Sequence, residues 1–457
     1  MLTVEKIGGT SMSALADVVE NIICYNRTGA HLYNRVFVVS AFSGVTNLLL
    51  ENKKTKAPGV YHRLANNQDY HVALGEVLDN LKALNKNYEP LGLDVAKADE
   101  FIDSHLAKAS TYLESATTML ASGYLNEGIL LATREILASI GETHSAYVLT
   151  EVLKTKGINA KLVDLSGFDD RRALTISERI ADAFGAIDLE SCVCIATGYA
   201  KGTEGIMREF DRGYSEVTFS KIAVLLKPQE AIIHKEYHLS TADPGLVGIE
   251  NVKPVGNTNY DIADQLADVG MEAIHPKAAK PLEMAGIHLR IKNTFEPAHP
   301  GTLITKEYIS DVKRVEVITG TPQLLMIDIY DPLMTGNVGS DLAIMQVFYQ
   351  HGISYTFKVT SANSITIVIW ENDLTQGLIA DLGKQFERIT TEQVAMVCLL
   401  GTNMDQPGLL ANAAMALAKD DINIISAGVA KGKVNIQFLI GREQFKTAII
   451  ALNKAVG

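Results

Sequence analysis

The feature that most constrains the fold is a repeated succession of apolar strand, turn of glycine and hydroxyl residues, and helix. The first copy runs from the apolar residues Leu2 and Val4 through Lys6-Ile7-Gly8-Gly9-Thr10-Ser11 into a helix expected over residues 13–24. The second passes from the strand 35–39 through Ser40-Ala41-Phe42-Ser43-Gly44-Val45-Thr46-Asn47 to Leu48-Leu49-Leu50. Further strands are expected at 161–165, 192–197, 231–234 and 289–292, with helices at 136–155, 175–184 and one ending near Leu226. Strands alternating with helices build an open, largely parallel α/β sheet sandwiched by helices, and such sheets bind ligands at the carboxyl ends of their strands. In this chain those ends carry the glycine and hydroxyl turns.

The first turn has the parts of a phosphate site. Paired glycines let backbone N–H groups approach an anion, Thr10 and Ser11 offer hydroxyls and helix caps, and Lys6 brings a mobile positive charge. By itself the motif fits a plain strand-to-helix turn equally well. A third turn of the same kind, Phe210-Asp211-Arg212-Gly213-Tyr214-Ser215-Glu216-Val217-Thr218, opens another helix and favours the ligand reading. Residues 51–135 read as a helical insertion interrupted by Pro58 and Pro90.

A chain of 457 residues has room for several domains, and its net charge of -12 argues against nucleic acid, so a bound phosphate belongs to a small molecule. No apolar run is long enough to span a bilayer, which leaves no membrane role, and Cys192 and Cys194 on one face of a strand read as core. No protein metal site is expected, and the setting is reducing and cytoplasmic. Pro297, Pro300 and Gly301 mark a boundary, so a first domain, the one carrying the glycine and hydroxyl turns, is expected over 1–305. Beyond it a β-α-β-β unit occurs twice, over 316–390 and 391–457, giving two α+β, ferredoxin-like modules, with the final strand or helix expected to complete the first.

Taken in order, Lys6-Ile7-Gly8-Gly9-Thr10-Ser11, Ser40 to Asn47, Gly141-Glu142-x-x-Ser145, Arg212-Gly213-x-Ser215, Thr241-Ala242-Asp243-Pro244, Ile274-His275-Pro276 and Asn293-Thr294-Phe295 with Gly301-Thr302 resemble the aspartokinases. The paired C-terminal modules resemble the tandem ACT domains of that family. The resemblance implies an amino-acid-kinase fold, the substrates L-aspartate and ATP, Mg2+, and 4-phospho-L-aspartate as product. It implies that Lys6 stabilises the transferring phosphoryl group and that Gly8, Gly9, Thr10 and Ser11 cradle the phosphates. Arg212 would fork onto the substrate α-carboxylate and Glu142 would receive its α-ammonium, with Ser40, Thr46, Tyr199, Ser215 and Glu216 completing the pocket. His234, Lys235 and Asp243 fall on the nucleotide side. A carboxylate is already a nucleophile, so no general base is required, and His144 and His275 are read as packing or hydrogen-bonding residues.

The sequence also departs from the family. The usual Gly-Arg-Gly-Gly-Ser-Asp run is Asp211-Arg212-Gly213-Tyr214-Ser215-Glu216, a Trp-Thr-Asp strand end is Ile233-His234-Lys235, and a common lysine is Glu272. These changes resemble a divergent subgroup found with ectoine-type osmolyte synthesis. The acidic residue that holds lysine in the first ACT module of lysine-inhibited relatives is Thr356 here, which implies weak or absent lysine inhibition, with threonine the better candidate effector. ACT modules imply a homodimer or larger assembly. The alternatives are a kinase of another acidic amino acid and a catalytically weakened amino-acid sensor.

Overall fold

The computed structural model describes residues 1–53, 55–123, 126–210, 213–271, 273–429 and 434–457. The chain packs as two units, Met1–Leu239 with Ile274–Lys306, and Ser240–Ala273 with Glu307–Gly457.

Seven strands build the sheet of the first unit. These are β1 (Thr3–Ile7), β2 (Arg35–Val39), β3 (Ala160–Val163), β4 (Val193–Thr197) and β5 (Glu230–Lys235), then, after β6 (Asn257–Asn259) of the second unit, β7 (Leu289–Asn293) and β8 (Thr302–Thr305). Their order is β3-β4-β2-β1-β5-β7-β8, parallel throughout except for the β7–β8 pair. Every residue of β1, β2 and β4 is buried, as expected of central parallel strands covered on both faces. The order turns back around β1: β2 lies on one side and β5 opens the other. The crevice beyond their carboxyl ends is therefore where an open sheet of this kind accepts a ligand.

Two helices begin earlier than the sequence suggests. The first starts at Gly9, with Gly8 extended at its N-cap, and continues into a π-helical turn over Val18–Ile23. Thr10 and Ser11 thus lie inside its first turn, and among the described residues no side chain caps it. The helix expected from 136 spans Asn126–Thr155, because Leu130, Leu131, Ala132 and Arg134 favour the helix and no breaker separates them from Glu135. The insertion before it is helical, as expected, over Val60–Ala65, His71–Asn87 and Val95–Ala121. Among the described residues no helix is long and apolar enough to cross a membrane.

The second unit holds an antiparallel sheet of β9 (Val317–Tyr330), β10 (Phe357–Thr360), β11 (Ser364–Trp370), β12 (Arg388–Leu400), β13 (Ile424–Val429) and β14 (Asn435–Gly441), in the order β10-β11-β9-β12-β14-β13. Each repeat is β-α-β-β-α. One core gathers Ile327, Ile329, Ile344, Phe348, Ile367 and Leu378, and the other Ile318, Val397, Leu417, Phe438, Ile449 and Leu452. The terminal helix Phe445–Val456 lies in the second core, not in the first as anticipated. Residues 240–273, expected within the catalytic stretch, cluster with this unit because Ile318 N–H bonds the Thr241 carbonyl at 2.7 Å and Leu246 and Val247 pack on the second core.

Candidate active site

The parallel register aligns Ile7 with Val39 and His234, and Val39 with Thr197, so the turns that open at Gly8, Ser40 and Gly198 stand side by side. Two glycines let them close up. A Cβ on Gly9 would lie 2.7 Å from the Ala41 carbonyl oxygen, and one on Gly198 would lie 2.6 Å from Ser215 Cβ and 2.8 Å from Glu142 Oε2. The helix Asn126–Thr155 contributes Glu142, and the helix Tyr214–Leu226 contributes Ser215 and Glu216. Together these elements enclose a cavity of about 260 Å³ whose walls include Gly9, Thr10, Ser40, Thr46, Glu142 and Ser215. The Ser40 and Ser215 hydroxyls are 3.0 Å apart, and Ser145 Oγ donates to the Ser40 carbonyl at 2.9 Å, fixing the second turn to the helix.

Glu142 is the anomalous group of the cavity. It is 3% exposed, and its Oε2 has no hydrogen-bond partner among the described residues. Burial pushes its carboxyl well above the ordinary carboxylate range, opposed only in part by the Lys6 charge and the N–H groups of Ala41 and Tyr199. His144, two residues on, plays no part: it is buried, bonded through Nε2 to Asn85 Oδ1 at 2.8 Å, and pushed down to about 3 by burial.

Lys6 Nζ stands 3.4 Å from Glu216 Oε1, and Glu216 Oε2 accepts the His275 N–H at 2.7 Å. Burial raises Glu216, but the charges of Lys6 and Lys235 and the His275 N–H outweigh it and hold the carboxyl below its usual value. The His275 side chain caps the helix Pro276–Met284 by accepting from Lys277 N at 3.2 Å. On the opposite face of β1, Glu5 accepts from Arg35 Nε, Thr3 Oγ1 and His234 Nε2, each at 2.7 Å. Arg35 also donates to the Ile22 and Ile23 carbonyls at 2.9 Å. Burial raises Glu5 as well, yet Arg35 and His234 hold it far below the ordinary range, while burial lowers His234 and keeps it neutral. The His234 ring is thus engaged on the Glu5 face. Strand alternation puts its neighbour Lys235 on the Lys6 face, where its charge acts on Glu216.

The remaining predicted residues are distributed as follows. Ser11 is fully buried and accepts from Thr294 Oγ1 at 3.0 Å. The Tyr199 hydroxyl donates to Glu135, and these two residues line a neighbouring cavity of about 490 Å³, while the Tyr199 ring meets Tyr214 edge-on at 6.1 Å. Asp243 belongs to the second unit, where its carboxylate caps the helix Pro244–Val247 by accepting from Gly245 N at 2.8 Å. Arg212 and Glu272 lie outside the described residues. Sequence reasoning passed over Glu135 and Glu5. The first could have been found as the carboxylate two helical turns before Glu142, the second as the charged residue beside Lys6 in an otherwise buried strand.

A parallel sheet whose strand ends gather a lysine, hydroxyl turns and an unpaired buried carboxylate has the build of a small-molecule phosphotransferase, and residues 1–293 match the amino acid kinase family. The chain belongs to the aspartate kinases of that family, being 42% identical to aspartate kinase Ask_Ect of Stutzerimonas stutzeri over 100% of this chain and 97% of that protein. It is 26% identical to the chloroplastic aspartokinase 1 of Arabidopsis thaliana, over 99% of this chain and 79% of the relative. Among solved structures, Escherichia coli aspartokinase III in complex with aspartate and ADP superposes with a TM-score of 0.75 at 20% identity, covering 100% and 99% of the two chains. Clostridium acetobutylicum aspartate kinase gives 0.72 at 21% identity over the full length of both.

Proposed function

We propose that the 260 Å³ cavity holds L-aspartate while the γ-phosphate of ATP passes to its side-chain carboxylate, giving 4-phospho-L-aspartate. The observation that carries this reading is the unpaired, buried Glu142 Oε2 on the cavity wall. An orphaned carboxylate oxygen is costly unless a ligand satisfies it, and the α-ammonium of an amino acid is the matching group. Ser40, Thr46 and Ser215 then serve the substrate as hydroxyl partners. Arg212 is assigned the α-carboxylate by its place in the motif, for which a guanidinium fork is suited.

With its backbone end held, the substrate directs its side chain toward Lys6, whose charge stabilises the phosphoryl group in transfer. Glu216 keeps Lys6 and Lys235 together against their mutual repulsion, and Gly8, Gly9 and Thr10 offer the phosphates a close backbone approach. Mg2+ fits as a cation carried on the triphosphate rather than held by a protein cage, because both Glu216 oxygens are already engaged and Glu142 faces the amino acid. When bound it neutralises phosphate charge. The 42% identity to Ask_Ect supports a place in the ectoine-associated subgroup.

The reading is tested by trapping the acyl phosphate as a hydroxamate, with aspartate and glutamate as rival substrates. Turnover with aspartate alone is expected. Equal or greater turnover with glutamate would reassign the substrate, and none with either would leave an amino-acid sensor.

A further inference from the structure

Glu135 stands two helical turns before Glu142 on the helix Asn126–Thr155, and both its oxygens are used. Oε1 accepts the Met207 N–H at 2.7 Å, and Oε2 accepts the Tyr199 hydroxyl. Met207 and Tyr199 belong to the connection that leaves β4 and ends at Gly213, Tyr214 and Ser215, the wall of the cavity facing Glu142. Tyr199 is 2% exposed, its own N–H acts on the Glu142 carboxylate, and its ring packs edge-on against Tyr214. Elsewhere the connection is tied to other parts of the unit: Lys201 N–H to the Leu165 carbonyl at 2.9 Å, and Arg179 Nε to the Lys201 carbonyl at 2.6 Å. Glu135 ties it to the helix that carries the ammonium acceptor.

We infer that Glu135 is a positioning residue for the amino-acid pocket: by gripping the Tyr199 hydroxyl and the Met207 N–H, it sets the distance between Glu142 and the Tyr214–Ser215 wall. The inference rests on the reading of this cavity as the aspartate pocket. A pocket whose two walls must meet one small substrate loses affinity when either wall drifts, even by a fraction of an ångström. Among the described residues the hydrogen bonds of Glu135 reach Tyr199 and Met207 and not Lys6, Lys235 or Glu216, so the larger effect is expected on aspartate.

The test is steady-state kinetics of the full-length enzyme with each substrate varied in turn. Tyr199→Phe removes one hydrogen bond and little volume. It is expected to raise the aspartate KM by about threefold to tenfold, the range of one hydrogen bond, with the ATP KM within about twofold of the parent. Glu135→Ala removes both bonds and is expected to raise the aspartate KM by more than about tenfold, and adding Tyr199→Phe to it is expected to change nothing more. Should Glu135→Ala fail to fold, Tyr199→Phe decides. An aspartate KM within twofold of the parent in Tyr199→Phe, or an ATP KM that rises in parallel, overturns the inference. Glu142→Gln separates the two readings. An unmoved aspartate KM there brings down the pocket and the clamp together, whereas a raised one beside an unmoved Tyr199→Phe removes the clamp alone.

Discussion

Glu216 bridges Lys6 and the backbone of His275, with one oxygen 3.4 Å from the lysine ammonium and the other accepting the His275 N–H at 2.7 Å. Aspartate in this position, one methylene shorter, would have to give up one partner or shift its helix. The longer carboxylate thus reaches the lysine ammonium and the His275 N–H at once.

Lys6→Ala should accordingly abolish transfer and spare substrate recognition. Turnover is expected to fall by at least about 10²–10³-fold, the loss of one main electrostatic donor, while calorimetry still records aspartate binding within about threefold of the parent. Lost aspartate binding, or turnover near the parental rate, would contradict the assignment.

Glu142 makes aspartate binding depend on pH. Its carboxyl is raised by burial, so the free enzyme keeps it protonated at pH values where an ordinary glutamate is charged. Binding an ammonium requires the carboxylate. Aspartate affinity should therefore rise with pH through the raised range, and binding should release up to one proton. Titration calorimetry in buffers of different ionisation enthalpy measures that proton directly, and Glu142→Gln should lose it while weakening aspartate binding by about 30-fold or more. The same shift has a stability consequence of defined sign. The unfolded state binds fewer protons at this site than the folded one, so the unliganded enzyme loses stability here as pH rises, and Glu142→Gln should not lower its melting temperature at alkaline pH.

How much of this was legible in the sequence follows from what each signal encodes. Short-range chemistry was readable: the turns at Gly8 and Ser40, the Glu142 motif and the strand periods all depend on neighbours a few residues apart. Lys6 and Glu216, 210 residues apart, could be named separately, but their ion pair depends on the register of β1 and the start of the helix Tyr214–Leu226. Likewise the resemblance groups His234 and Lys235 on the nucleotide side, because both stand where the family has its Trp-Thr-Asp strand end. A strand sends adjacent side chains to opposite faces, and the faces are assigned only once Glu5 and Arg35 are seen to claim the imidazole.

That division predicts different phenotypes for the two neighbours. Lys235→Ala should raise the ATP KM by about tenfold, the ~1.4 kcal/mol expected when one charge beside a phosphate is lost, and leave the melting temperature nearly unchanged. His234→Gln should do the reverse, because it disturbs the buried Glu5–Arg35 network: a lower melting temperature, and a change in ATP KM smaller than that of Lys235→Ala. An ATP KM unmoved by Lys235→Ala would sink the placing of this lysine on the nucleotide side.

Regulation by lysine meets an electrostatic obstacle in the first ACT-type module. The N–H and hydroxyl of Thr356 both point to the Val368 carbonyl, at 2.8 and 3.3 Å, and offer no negative charge. A nearby acid, Asp341 in the first turn of the helix Ser340–Gln350, is held in both oxygens by Lys358 at 2.7 and 2.8 Å. An incoming lysine would have to displace Lys358 or leave its own ε-ammonium without a counter-charge, and an unpaired desolvated ammonium is among the most expensive groups to bind. Threonine carries no distal charge and faces no such cost. In the hydroxamate assay low-millimolar lysine is therefore expected to leave aspartate turnover unchanged, with threonine the better inhibitor of the two. Half-inhibition by lysine in that range would refute the argument, since it would require a carboxylate partner that neither Thr356 nor the paired Asp341 provides.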